Sequence, residues 1–382
     1  MEQARPQVRG RVVALLLALL ALGGCGASAS PAPARGAGPA AASAAPAPVA
    51  RESSSSPPPS PRPPSPTPPA TPAPSATLAP AAPAPAFSYP IGLPGRLLGD
   101  GFFIRHGAGT ENTWYNPGHW HTGEDWYAQE GETAGAHVYA AAAGTVVYVG
   151  ANYPGRVVIV RHADDLFSMY GHLDPAVAVA RGQQVARGQL LGTVLRRDDG
   201  RAPSHLHFEI RTFLMAREVN GAAPRYRFRC GRNCPPGPGY WPIRAPDVPA
   251  DLGWRTPVHV IAGRMFPPRA PAPPGAAAVA SKPISHSVTL WSAPPEDARR
   301  TALGELQLRP GERFELLGVR AGPEDARGTS AMAYELWYRI RLPDGQDGWV
   351  QAAIPAPFET GGDGRPSSVY FNLIPFALPV AM

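Results

Sequence analysis

The sequence predicts a mostly β protein behind a long unfolded approach, and three observations carry that reading. Between residues 87 and 266 the apolar residues come in short runs broken by glycine. The runs 145–149, 157–161 and 167–170 are β-branched or aromatic and of strand length. No segment there keeps a 3.6-residue apolar period over three turns. Finally, 50 prolines and 41 glycines make 91 of 382 residues. A share of about a quarter approaches low-complexity composition and excludes one continuous globule. The 44% of hydrophobic residues still lets part of the chain bury a core.

Residues 1–24 begin with Arg5, Arg9 and Arg11 and continue with an unbroken apolar run over 12–22. As a helix that run is about 16 Å long, too short for a hydrocarbon core of about 30 Å. It reads as a secretory signal. Its end, Leu22-Gly23-Gly24-Cys25, resembles a bacterial lipobox. The resemblance implies cleavage before Cys25, a diacylglyceryl group on its sulfur, and an extracytoplasmic protein anchored to the membrane. Residues 25–86 follow as a Pro/Ala/Ser-rich linker. The stretch 27–86 holds 19 prolines and no aromatic residue. Such a segment buries too little apolar surface to fold and is expected to be disordered and semi-extended.

The net charge of +6 divides into +2 for residues 1–24, +2 for 27–86 and +2 for 87–382, with Cys25 and Gly26 uncharged. The excess sits in the leader and the linker, so the basic balance does not indicate a nucleic-acid partner.

Four of the ten histidines lie in three motifs: His121-Thr122-Gly123-Glu124-Asp125, Tyr170-Gly171-His172-Leu173 and His205-Leu206-His207-Phe208-Glu209-Ile210. Read as a strand, the third puts His205, His207 and Glu209 on one face and Leu206, Phe208 and Ile210 on the other. A half-buried row of imidazoles and a carboxylate needs a partner, and these are the usual ligands of zinc. Spacing alone is weak evidence. Chance gives about 10 × 10/382 His-x-His pairs, and His119-Trp120-His121 is a second one. The flanks are more specific. In order they read HTGEDW, VYAAAAGTVVYVG, GRVVIVRHADDLFSMYGHL, VARGQQVARGQLLG and HLHFEIR.

With those flanks, residues 118–211 resemble the lysostaphin- and LytM-type zinc endopeptidases of the bacterial cell wall, whose fold is the duplicated hybrid motif. The resemblance covers about a quarter of the chain. It implies one zinc ion held by His121, Asp125 and His207, with His172 and His205 as catalytic histidines. Three protein ligands would leave one coordination position open, the mark of a catalytic site. Glu209 is expected to orient a ligand. The implied function is hydrolysis of peptide bonds in peptidoglycan cross-links or stem peptides. The alternative is a wall-binding regulator that activates a separate murein amidase; in such relatives these residues are usually lost. Two departures stand out. Relatives usually have an aliphatic residue at Glu124, and a glycine-containing turn at Arg201-Ala202-Pro203-Ser204. His106, His137, His162, His259 and His286 belong to no motif and read as ordinary histidines.

Cys230 and Cys234 lie in a Gly/Pro-rich insertion spanning 213–254. With Cys25 lipidated they form the one remaining pair, and in an exported protein a disulfide is the default expectation; a redox-active or metal-binding pair is the other reading. Residues 267–283 read as a Pro/Ala linker that closes the 87–266 domain. Residues 284–355 again look all-β, with a hairpin signal around Pro343-Asp344-Gly345. They resemble bacterial SH3-type domains, small β-barrels that bind wall peptides in relatives. Trp291, Trp337, Tyr338 and Trp349 are candidates for such a groove. The competing reading makes two or three of them barrel core. The tail, 356–382, turns apolar near 369–374 and is expected to pack back on a domain.

Overall fold

The computed structural model describes residues 86–111, 113, 115–151, 155–198, 200, 202–226, 238–265, 274–322, 334–360 and 366–376. The leader, Cys25, the first linker up to residue 85, and the Cys230–Cys234 pair lie outside the described residues.

The three β-branched runs form antiparallel neighbours: Gly144–Gly150, Arg156–Arg161 and Phe167–Leu173. Next to them come Leu206–Arg211, Glu124–Ala128 and Phe102–His106. The central strands are apolar on both faces because both are covered. Val158, Val160 and Tyr170 point into the main core. Val157, Ile159, Phe167 and Met169 form a second cluster behind them. A small sheet of Ile91–Gly92, His137–Tyr139 and Leu190–Thr193 lies apart from the large one. Among the described residues the single α-helix is Pro257–Gly263.

The large sheet does not stop at the edge strand Phe102–His106. Pro366–Phe371 joins it there through the pair Ile104 and Val369. That strand pairs in turn with Asp347–Thr360, followed by Leu336–Arg341, Arg313–Ala321, Gly275–Val279 and Leu373–Phe376. Ser287–Trp291 and Ala302–Gln307 complete this half as an antiparallel pair. Gly275–Val279 corrects the linker expected over 267–283. It is a strand between two partners, with Ala277, Ala278 and Val279 buried. Its Ala-rich composition resembles a linker, but the small side chains fit a strand enclosed on both sides.

Residues from both halves share one core. Phe371 stacks on Trp126 at 5.5 Å and 8°. Tyr89 packs against both rings, and its hydroxyl lies 3.3 Å from that of Tyr338. Tyr338 is therefore corrected as a groove residue: it is fully buried, facing inward. Tyr334 reaches the other way, accepting a hydrogen bond from the Ala108 amide. It fits only because Gly107 has no side chain; a Cβ there would lie 2.7 Å from the Tyr334 ring. Ser368 donates to the Arg105 carbonyl at 3.2 Å, and the Ser281 amide to Asp100 at 2.7 Å.

This packing makes a strong statement about truncation. Each large apolar side chain withdrawn from the core costs about 1.5–3 kcal/mol, against a total stability of about 5–15 kcal/mol. Deleting residues 284–382 removes Tyr338, Phe371, Leu373, Ile374 and several more core side chains. The truncated chain should lose its cooperative thermal transition. Calorimetry showing a transition within a few degrees of the full chain would overturn this.

His162 gives a second expectation. It is buried, with Nδ1 2.9 Å from the Ala143 carbonyl and Nε2 2.7 Å from Ser168 Oγ. Burial pushes its pKa down to about 4, with the Ala143 hydrogen bond opposing. The folded protein thus leaves His162 neutral while the unfolded chain binds a proton below about pH 6.5. Stability should fall as pH drops from about 6.5 to about 4, by up to ~3 kcal/mol from this group. Denaturant melts of His162→Gln across that window should show a flatter slope; an unchanged slope refutes the assignment.

Candidate metal centre

Strand register builds this site. His106, Asp125 and His207 are successive cross-strand partners on three adjacent strands. His121 arrives from a separate short strand, His119–His121, which pairs with Tyr240–Pro242 of the insertion. Between His121 and Asp125 the chain turns back tightly over the Leu206–Arg211 strand. Gly123 permits that approach, since a Cβ there would lie 2.5 Å from the Phe208 carbonyl oxygen.

Three ligand atoms converge. His121 Nε2 lies 3.0 Å from His207 Nδ1, His207 Nδ1 3.0 Å from Asp125 Oδ1, and His121 Nε2 3.2 Å from Asp125 Oδ1. All three side chains are buried. Ligand atoms about 2.0–2.1 Å from one ion at tetrahedral angles stand about 3.3–3.4 Å apart. The triangle is within a few tenths of an ångström of that, and its donors are the nitrogen and oxygen types that zinc takes. These residues can hold a metal ion.

The electrostatics fit the same arrangement. Burial alone would raise the Asp125 carboxyl. The neighbouring His121 and His205, with hydrogen bonds from His106 and His121, reverse that and hold it well below the usual carboxylate range. Burial works against the charged form of His207, yet hydrogen bonds to Asp125 and Glu209 raise it to about 9. Burial lowers His121.

His207 has its other nitrogen, Nε2, 3.1 Å from Glu209 Oε1. Glu209 is itself enclosed. It accepts from Thr122 Oγ1 at 2.7 Å, from Trp254 Nε1 at 3.0 Å and from Arg211 at 3.2 Å. The insertion thus supplies Trp254 to hold the carboxylate that holds His207. It also supplies Tyr240, whose ring lies 5.1 Å from that of His121.

His205 and His172 stand at one side. His205 Nδ1 is 2.8 Å from the Pro203 carbonyl, which only accepts, so that nitrogen carries the proton. Nε2 then presents its lone pair, 3.7 Å from Asp125 Oδ1. The Tyr127 ring stacks on His205 at 4.9 Å. Burial lowers His205 to about 4. The Pro203 carbonyl belongs to the turn that departs from the relatives' glycine-containing pattern, and it orients His205. The His172 ring lies 4.7 Å from that of His205 and 6.3 Å from that of His207. Its φ of +58° is a left-handed conformation rare for a side chain of this size. The register slips opposite it, between Arg156 and Val158, so His172 sits on a bulge. Bulges beside active sites re-aim side chains in this way.

Several features departed from the sequence reading. Glu124 adjoins Asp125 in sequence but lies outside the metal centre. Strand alternation turns it to the opposite face, where it accepts from the Val258 amide at 3.0 Å and Trp126 Nε1 at 3.2 Å. Burial raises it to about 8, so it is neutral at neutral pH. His106 is not an ordinary histidine. It is buried at the site, Nδ1 3.5 Å from Asp125 Oδ2. Tyr127, Tyr240 and Trp254 were also missed, since they lie outside the three histidine motifs; Thr122 lies within the first but was given no role. His119 lies half-buried beside the Pro117 carbonyl, at 3.1 Å, and does not join the three ligand atoms. Trp291 and Trp349 are half-buried, whereas Trp337 is buried at 6% exposure and is corrected as an open groove residue; none of the three joins the ligand atoms.

A buried triangle of two imidazoles and a carboxylate, flanked by two more imidazoles, defines a protein built around a metal site. Residues 119–221 match the Peptidase family M23 profile. The curated lipoprotein YgeR of Escherichia coli K12 is 39% identical over 79 residues, which are 20% of this chain and 30% of that protein. Lipoprotein NlpD of Yersinia enterocolitica is 38% identical over 80 residues, 20% of this chain and 78% of that protein. The match therefore spans less than a third of the Escherichia coli protein. A solved zinc-containing peptidase from Vibrio cholerae is 30% identical over 33% of this chain and 37% of that one, with a TM-score of 0.24. The chain belongs to peptidase family M23, a zinc-dependent family.

Glu209→Gln tests the support of His207. Such orienting partners are worth about 10–100-fold in metal affinity. Zinc affinity, read by competition with a chromophoric chelator, should fall by that much while circular dichroism stays native. An unchanged affinity would make Glu209 a packing residue only.

Proposed function

We propose that the chain is a zinc-dependent endopeptidase that hydrolyses peptide bonds in the cross-links or stem peptides of peptidoglycan. The observation that carries the reading is convergence: three buried ligand atoms within 3.2 Å of one another, and two further imidazoles alongside. His121, Asp125 and His207 would hold the ion. Zinc bound there supplies a Lewis acid for the scissile carbonyl and lowers the pKa of water toward neutrality.

The remaining chemistry belongs to the side chains. His205 accepts the proton of the attacking water at Nε2, since Nδ1–H is committed to Pro203 and burial keeps the ring neutral at pH 7. His172 supplies the complementary donor, to the carbonyl oxygen as it gains charge or to the leaving amine. Glu209 and Tyr127 keep the imidazoles of His207 and His205 aimed.

The strands of residues 284–355 act in this reading as an SH3-like barrel that binds wall peptides on its tryptophan-bearing face. A lipid on Cys25 holds the protein at the cell envelope, outside the cytoplasm; the lipoproteins among its relatives support that location. A non-catalytic activator of a separate murein amidase is the alternative. It would have no need of five metal- and proton-handling groups around one point.

The test is a digest of purified peptidoglycans of several bridge types by the zinc-loaded protein, with products read by mass spectrometry. A new amine end at one bond is expected. His205→Ala should lower its yield by about 10²–10⁴-fold at unchanged zinc content. Intact walls of every type beside one bound zinc would defeat the endopeptidase and favour the activator.

A further inference from the structure

The C-terminal sheet has an outer face with an unusual arrangement of charge. Leu336–Arg341 lies between Arg313–Ala321 and Asp347–Thr360, and Ser287–Trp291 borders the last of these. Register lines up Arg320 with Trp337, Arg339 with Trp349, and Trp349 with Trp291. Alternation along each strand puts these side chains on the face opposite the buried Tyr338, Ile340 and Val350. The face is therefore aromatic and basic.

Two of its arginines are already neutralised. Arg339 pairs with Asp347 at 3.1 Å and Arg320 with Glu296 at 3.5 Å. Arg300, from the loop after Ser287–Trp291, is different. Its Cζ lies 4.4 Å from the Trp291 ring centre and 5.2 Å from that of Trp337. Both indoles thus stack on the guanidinium. Its Nη1 is buried and has no hydrogen-bond partner among the described residues. No carboxylate among them lies within ion-pair distance of it.

A half-buried guanidinium without an acceptor is costly, because a desolvated donor needs a partner. Indole contact offsets part of that cost but accepts no N–H. Nη1 is sealed, but Arg300 as a whole is half-buried, so a ligand that brings an acceptor to the open edge of the guanidinium and draws Nη1 outward would relieve that cost. With its faces against the indoles, the guanidinium can engage an acceptor only in its own plane. A carboxylate fits, taking two parallel N–H bonds. Charge also favours it: one uncompensated cation matches a monoanion, and the two neighbouring arginines are spoken for. Trp291 and Trp349, both half-buried, leave apolar ring surface for the short side chains next to a peptide carboxylate.

We infer that Arg300, held by Trp291 and Trp337, is a receptor for the carboxylate of a short peptide. That the peptide comes from the cell wall rests on the proposed function; the carboxylate chemistry does not.

The test is a titration of the full chain with N-acetyl-D-alanyl-D-alanine, its C-terminal carboxamide, and inorganic phosphate. It is followed by the indole N–H resonances, assigned through Trp291→Phe and Trp337→Phe. The free acid should shift the resonances of Trp291 and Trp337 and bind at least tenfold more tightly than the carboxamide. Arg300→Ala and Arg300→Lys should each weaken it at least tenfold, the lysine because it loses the planar pair of donors. The inference is overturned by equal binding of acid and carboxamide, by wild-type affinity in both variants, by phosphate binding more tightly than the acid, or by no shift at all. The titration needs no turnover, so its outcome is separate from that of the wall digest.

Discussion

His207 sits between two buried carboxylates, and much of the molecule serves that arrangement. One nitrogen faces Asp125 and the other Glu209, at 3.0 and 3.1 Å. Neither carboxylate would stay charged in an apolar interior unaided. Asp125 is sustained by His121, His205 and His106, and Glu209 by Thr122, Trp254 and Arg211. Removing one partner from such a buried set leaves an uncompensated charge, at about 3–5 kcal/mol. The insertion and the edge strand are thus tied to the centre electrostatically, through groups that do not themselves belong to the ligand triangle.

The second dependence is mechanical. Asp125 and Trp126 are neighbours on one strand and face opposite ways. One enters the metal centre; the other stacks on Phe371 from the far end of the chain. Tyr334 packs on Gly107, just past the neighbouring Phe102–His106 strand, and hydrogen-bonds Glu124 at the start of the strand that carries Asp125. The C-terminal half is accordingly part of the foundation of the site as well as a candidate wall binder.

The site was legible in the sequence where covalent spacing does the positioning. The alternation in His205–Ile210 puts His207 and Glu209 opposite the core because a strand has period two. Flanking residues identified His121, Asp125, His172 and His205. His106 was not legible, since only strand register brings it to Asp125. Nor was the contact of Tyr334 with Glu124, which joins residues far apart along the chain and depends on a glycine at 107. Tyr338 could have been read better. Trp337 and Tyr338 are adjacent on one strand, so they cannot both face one groove. The strand at Gly275–Val279 was hidden by composition: alanines serve equally in a loose linker and in a tightly enclosed strand, and the partner strands decide which.

The pairing of Ile104 with Val369 also bears on the order in which the protein can be assembled. A ribosome makes residues 102–106 long before residues 366–371. Until the later strand exists, the earlier one shows a row of unpaired amides and carbonyls, the feature by which sheets recruit strange chains. Because the metal-bearing sheet shares its core with Tyr338, Phe371, Leu373 and Ile374, it is not expected to close before those residues are available. Self-association during synthesis is the hazard of that wait, and chaperone protection of the 102–106 segment would matter most before residue 371 emerges.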